Sequence, residues 1–344
     1  MPIATRASVK SLASEDVRAL GAQIVLSNTY HLMLRPGYDG MKQLGGLHQF
    51  MHWDGPILTD SGGYQVFSLA NIRTIDEDGV EFQSHIDGKR IRLTPEGSMA
   101  MQGVIGSDII MQFDDVAAGN STRERYLDAM ERSLRWAQRC KDSYSSSQKL
   151  FAIVQGGTHE DLRRQSAEKL MEIGFDGYAI GGLSVGESSD DAFRIAAFLG
   201  EMLPKDQPRY FMGGGMPEEI VYYVSIGVDM FDCVLPTRNA RHGTLFVWKS
   251  EPKEAVKAAF ERAQNGGTDK EIAEVLYDRV QVTREPFALD QSVIDPYGPI
   301  SSQTYSKAYL RHLFRTNELL CYRLATQQNL GFYLRLMKEL REVI

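Results

Sequence analysis

Eight short, almost continuously apolar runs recur along the chain, at 2–5, 24–30, 57–63, 109–115, 150–157, 178–184, 210–215 and 230–237. Between most of them lie stretches such as 121–143, 159–173, 190–202 and 217–226, whose apolar residues fall three and four apart, the period of an amphipathic helix. A strand that is apolar on both sides must be covered on both sides, and helices following parallel strands do this. Eight such units predict an α/β fold, a closed (β/α)8 TIM-type barrel; an open doubly wound sheet satisfies the same pattern.

The polar residues at the ends of these runs carry the next inference. Asn28, Asp60, Asp114, Gln155, Gly182, Met212-Gly213 and Asp232 each stand at the C-terminal end of a run. In a parallel barrel those ends converge on one face, where such folds keep their active sites. The last run continues as Met230-Phe-Asp-Cys-Val-Leu-Pro-Thr-Arg-Asn-Ala-Arg-His-Gly243. It reads as a strand ending in Asp232, then a loop carrying two arginines, Arg238 and Arg241, suited to phosphate. A carboxylate beside guanidiniums suggests nucleotide chemistry; the alternative is a buried ion pair between Asp232 and either arginine.

Two segments interrupt the alternation. Residues 71–94 read as a hairpin insertion turning at Asp87-Gly88. Residues 246–278 read as a helical insertion around Asn265-Gly266-Gly267, leaving 1–245 as the barrel and 279–344 as a helical subdomain packed on it. The helices of this tail are expected to break near 327–329.

The net charge of −7 excludes a blanket nucleic-acid binder, but the charge is uneven. Residues 1–230 hold 22 Lys+Arg against 31 Asp+Glu, and residues 231–344 hold 16 against 14, so contact with nucleic acid should use the C-terminal third. Cys140, Cys233 and Cys321 are too far apart for a disulfide framework or a zinc ribbon. The seven histidines form no pair at strand ends, which argues against a metal-dependent hydrolase. No signal-like or membrane-length apolar stretch occurs, so a cytoplasmic protein is expected.

Several motifs, in order, resemble the tRNA-guanine transglycosylases over roughly residues 1–245 and 305–344. They are Asn28-Thr-Tyr-His-Leu32 with Arg35-Pro-Gly37, Leu58-Thr-Asp-Ser-Gly-Gly-Tyr-Gln-Val66, Leu93-Thr-Pro-Glu96, Gly106-Ser-Asp-Ile109, Val154-Gln-Gly-Gly157, Tyr178-Ala-Ile-Gly-Gly-Leu-Ser-Val-Gly-Glu187 and the Asp232 segment. The resemblance implies exchange of the guanine at wobble position 34 of GUN-anticodon tRNAs for a 7-deazaguanine base in queuosine biosynthesis. Exchange of a base on a retained ribose calls for double displacement by two carboxylates. By resemblance Asp232 is the nucleophile and Asp60 the proton acceptor and donor. Ser61, Gly62, Gly63, Tyr64, Asp114, Gln155, Gly182, Leu183 and Met212 would bind the base, with Asp114 accepting from its donor edge and Tyr64 and Met212 covering its faces. Gly213, Gly214, Gly215, Met216, Pro217, Glu218, Glu219, Thr237, Arg238, Asn239, Ala240 and Arg241 would contact the tRNA anticodon loop.

The chain departs from the family pattern at its zinc site. Where the family carries Cys-x-Cys-x-x-Cys and a histidine, this sequence has Tyr297, Pro299, Ser302 and Gln328, so no metal and no cofactor are expected. A homodimer is the expected assembly. A non-catalytic partner subunit is a rival reading, and retention of both Asp60 and Asp232 weighs against it. For the incoming base, Val116 resembles queuine-accepting members, whereas Val185 resembles those that take 7-aminomethyl-7-deazaguanine. A branched side chain at 185 would crowd the larger substituent at a cost of roughly 1–3 kcal/mol, which favours the aminomethyl base.

Overall fold

The computed structural model describes residues 1–69, 73–144, 147–183 and 186–344. Seven parallel strands form one sheet, ordered Val25–Ser27, Ile57–Thr59, Ile109–Met111, Lys149–Val154, Gly177–Ile180, Arg209–Phe211 and Met230–Phe231. Sequential strands are neighbours throughout, as a barrel requires. The run at 2–5 supplies less than a full strand. Pro2 has no amide to give to a ladder, and the segment makes one parallel bridge, Ile3 with Leu26. It still acts as the eighth stave: Ala4 N donates to Leu26 O at 2.6 Å, and the Met1 amino group donates to Phe231 O at 2.7 Å. The first and last staves therefore meet.

The alternation of side chains across these strands builds two cores. Ile3, Leu26, Leu58, Met111, Phe151, Ile153, Ala179 and Tyr210 point into the barrel and fill it. Ile110, Leu150, Ala152, Val154, Tyr178, Ile180 and Phe211 point outward against the helices. The helices Arg123–Ser143, Glu160–Ile173, Ser189–Met202 and Pro217–Ser225 occupy the stretches where helical periodicity predicts them. The first is fixed by the buried Trp136, whose ring stacks on Phe113 at 5.0 Å while its Nε1–H donates to Glu77 O.

In the first insertion Val80–Gln83 pairs antiparallel with Arg90–Leu93 across the Asp87-Gly88 turn, and Arg73–Ile75 adds a third strand. Farther on, the helices Pro252–Gln264 and Asp269–Leu276 lie between two antiparallel partners, Thr244–Trp248 and Tyr277–Gln281. The C-terminal helices are Lys307–Arg315 and Leu320–Val343. Their break falls at 316–319, where Asn317 takes a left-handed φ of 57°, and not at 327–329. The amides of Gln328 and Asn329 do not interrupt the helix because they are spent on other segments. Gln328 donates to Phe246 O and Asn329 donates to Pro236 O and Thr244 O.

Candidate active site

Asp60 follows the strand Ile57–Thr59 and is buried at the barrel mouth. Two neighbours from the end of the adjacent strand hold its oxygens: the Asn28 side-chain amide donates to Oδ2, and Thr29 N donates to Oδ1 at 2.9 Å. Burial raises its pKa to about 6, against the lowering effect of these donors; the charge of Asp232 adds to the rise. A group poised near 6 can both give and take a proton around neutral pH.

Asp232 follows the last strand, Met230–Phe231, and is half-buried. The Tyr210 hydroxyl and the Gly213 amide, the latter at 3.0 Å, both donate to its Oδ1. Among the described residues Asp232 pairs with neither Arg238 nor Arg241, which disposes of the buried ion-pair alternative. The segment after it is also not a loop. Leu235–Arg241 is a short helix with Pro236 in its first turn, the position where a missing amide costs nothing. Arg241 donates back to Thr237 O at 2.9 Å, and Arg238 is exposed. Thr237, Ala240 and Pro217 are buried with their side chains facing the protein, and Gly214 and Gly215 are buried as well. Gly213 and Arg238 are exposed, and Met216, Glu218, Glu219, Asn239 and Arg241 are half-buried. Glu219 accepts from the Gly215 and Met216 amides, and Glu218 accepts from the Tyr277 hydroxyl.

Beside Asp60 in the chain, Ser61 belongs to a buried polar cluster with Asp114 and Gln155. Asp114 is buried, and burial lifts its pKa to about 6 despite hydrogen bonds from Gln155 and Ser61. Gln155 Nε2 donates to its Oδ2 at 2.7 Å, and Ser61 Oγ donates to its Oδ1 at 3.2 Å. Gly63 lies so close to Asp114 that a Cβ would sit 2.8 Å from its carbonyl oxygen, and at Gly182, with φ of 62°, a Cβ would meet Gln155 Oε1 at 2.2 Å. Gly62 makes the turn with φ of 86°. Leu183 is buried, Met212 is half-buried and its sulfur lies beside Gly181, and Tyr64 is a partly exposed residue of the helix Gly63–Leu69. The structure thus brings together Asp60, Ser61, Gly63, Asp114, Gln155 and Gly182, with Asp232 near enough to act on Asp60. Val185 lies outside the described residues.

Tyr210, Thr29 and the Gln65 side chain, which also bonds to Asp60, were not singled out from the sequence. Tyr210 had a usable signal: it precedes Met212 by two residues on a strand and so shares its face.

The positions that match the family's zinc ligands do not fit zinc. Gln328 Nε2 donates to Asp295 Oδ2 at 2.8 Å and Phe246 O at 2.7 Å, Ser302 is a buried hydroxyl, and Tyr297 and Pro299 offer no thiolate or imidazole. Among the described residues no three His, Cys, Asp or Glu groups are arranged to hold a metal. No helix of the described residues is long and apolar enough to cross a membrane.

A parallel barrel that gathers Asp60, Asp114 and Asp232 at the C-terminal ends of its strands has the layout of a barrel enzyme. The family model described as queuine tRNA-ribosyltransferase matches residues 1–344. Curated relatives named queuine tRNA-ribosyltransferase include those of Syntrophobacter fumaroxidans, 49% identical over 346 residues, and Lysinibacillus sphaericus, 47% over 347; the alignments cover 100% of this chain and 85% and 84% of theirs. That of Zymomonas mobilis is 45% identical over 351 residues, covering 100% of this chain and 84% of its own. The chain belongs to the queuine tRNA-ribosyltransferase family.

Proposed function

We propose that the chain exchanges guanine at wobble position 34 of GUN-anticodon tRNAs for 7-aminomethyl-7-deazaguanine, through a covalent bond between Asp232 and the ribose. The observation that carries this reading is the pairing of Asp232, free to attack through Oδ2 while Oδ1 is held by Tyr210 and Gly213, with Asp60 poised near 6. Oδ2 attacks C1′, the C1′–N9 bond breaks, and its electron pair leaves with guanine, which takes a proton from Asp60. The incoming base then gives its N9 proton to Asp60 and attacks C1′, returning Asp232 as carboxylate. Asp114 would accept from the base's N1 and N2 donors, and Gln155 and the Gly182 amide would donate to its carbonyl. The tRNA would lie along Gly213, Arg238, Asn239 and Arg241, and a cytoplasmic, zinc-free enzyme follows from this substrate and from the replaced ligand positions.

Denaturing gels of enzyme mixed with tRNA test the intermediate. Wild type should give a tRNA–protein adduct that added guanine discharges, and Asp232→Asn should give none. An Asp232→Asn protein that still exchanged labelled guanine at the wild-type rate would overturn the assignment. Val116, buried beside Asp115, favours queuine as a second reading of the incoming base. Comparison of kcat/KM for the two bases decides it, with Val185→Gly as the control.

A further inference from the structure

The helix Glu160–Ile173 packs directly behind the pocket, and one of its side chains reaches three carbonyls there. Arg163 is fully buried. Its Nε donates to Gly157 O at 2.8 Å, and one terminal nitrogen donates to Val154 O at 2.6 Å and Gly181 O at 2.7 Å. These carbonyls flank the base-facing residues: Val154 and Gly157 bracket Gln155, and Gly181 precedes Gly182. The same helix holds Gln155 a second time, through Ser166 Oγ, which accepts from Gln155 N at 3.2 Å.

The peptide joining Gly181 to Gly182 is the informative one. A peptide unit is planar and trans, so the Gly181 carbonyl and the Gly182 N–H point in opposite directions. A guanidinium that captures the carbonyl from behind therefore fixes the direction of the N–H on the far side. A charge-assisted hydrogen bond to the carbonyl also polarises the unit and strengthens the N–H as a donor. Burial brings the guanidinium down to about 9, so it remains a cation at neutral pH. A full charge in a dry site is costly, and three short hydrogen bonds to one loop pair are what keep it there.

We propose that Arg163 is a positioning residue of the base pocket, which clamps the 154–157 and 181–182 segments together and aims the Gly182 N–H at the 6-carbonyl of the bound base. This rests on the reading of the pocket given above. The alignment matters most as guanine departs, when negative charge spreads onto that carbonyl and a preorganised donor is worth more than a mobile one.

Equilibrium dissociation constants of free guanine and 6-thioguanine, measured on the full chain, test this. The thiocarbonyl is a weaker acceptor, so wild type should prefer guanine. In Arg163→Gln, guanine affinity should fall about tenfold, the scale of one misaligned hydrogen bond, and 6-thioguanine affinity should fall less, narrowing the preference. Arg163→Lys keeps the charge but cannot span three carbonyls, and should narrow it as well; it carries the comparison if the glutamine variant does not fold. Equal weakening of both bases, or unchanged guanine affinity, would overturn the proposal. A wild type that binds the two bases alike would instead overturn the reading of the carbonyl donors.

Discussion

The barrel mouth and the C-terminal clasp are made from the same chemical pair, a buried aspartate against a side-chain amide, put to opposite uses. At the mouth Asn28 donates to Asp60 and Gln155 to Asp114; in the clasp Gln328 donates to Asp295. Burial raises the pKa of all three carboxyls. The surroundings differ. Asp295 also accepts from Trp248 N and Tyr297 N, while Gln328 reaches Phe246 O, so the pair knits a strand, a turn and the last helix into one unit. At the mouth, the two neighbouring residues that donate to the Asp114 carboxylate, Gln155 and Ser61, do so through side chains. Backbone donors hold a carboxylate in place, whereas side-chain donors leave it able to change partners.

The largest expected effect is on chemistry at the mouth. Asp232→Asn should lower guanine exchange by on the order of 10⁴-fold or more, the scale seen when a covalent nucleophile is removed. Asp60→Asn should cost roughly 10²–10⁴-fold, the range for a general acid–base. It should also remove an inflection near pH 6 from the kcat/KM profile, because that is where burial puts the Asp60 carboxyl. Neither change should disturb the clasp. An inflection that survives in Asp60→Asn would assign it to another group, with Asp114 the next candidate.

A change in the clasp should do the reverse. Gln328→Ala strands Phe246 O and leaves Asp295 Oδ2 with Trp248 N as its remaining donor in a dry site, and it should lower unfolding free energy by about 1–3 kcal/mol while exchange at low temperature is retained. Chelators should leave the melting temperature of wild type unchanged, and elemental analysis should find well under one zinc per chain. A zinc-loaded protein, or one that chelators destabilise, would mean that the clasp does not stand in for metal.

The two regions also differ in how far the sequence disclosed them. Asp60, Asp114 and Asp232 were legible because each ends an apolar run, and barrel geometry gathers such ends on one face. The hydrogen-bond partners were less so. Tyr210 looks like another core aromatic until its hydroxyl is seen on Asp232, and Arg163 lies within an ordinary amphipathic pattern. The clasp was visible only as missing ligands. A helix break was expected near 327–329; Asn329 has a local preference for turns, and tertiary hydrogen bonds override it in the helix Leu320–Val343.

The smallest effect, and the one that separates the regions by sign, concerns stability against pH. Asp114 has a folded pKa of about 6 against an ordinary 3.8. Between these values the unfolded chain loses its proton while the folded chain keeps it, so stability falls as pH rises from about 4 to 6 and is level above. Asp114→Asn has no charge to desolvate and can still pair with Gln155 and Ser61. At pH 8 it should therefore be more stable than wild type by about 1 kcal/mol, with no gain at pH 4, even though base recognition is lost. Asp295→Asn should behave otherwise at pH 8. An amide in place of the carboxylate presents an N–H to one of two backbone donors, Trp248 N or Tyr297 N, and leaves it unsatisfied at a cost of about 1–3 kcal/mol. Urea unfolding of both variants at pH 4 and pH 8 checks the contrast. If both lost stability at pH 8, the mouth would be held as firmly as the clasp, and the distinction between side-chain and backbone donors would fail.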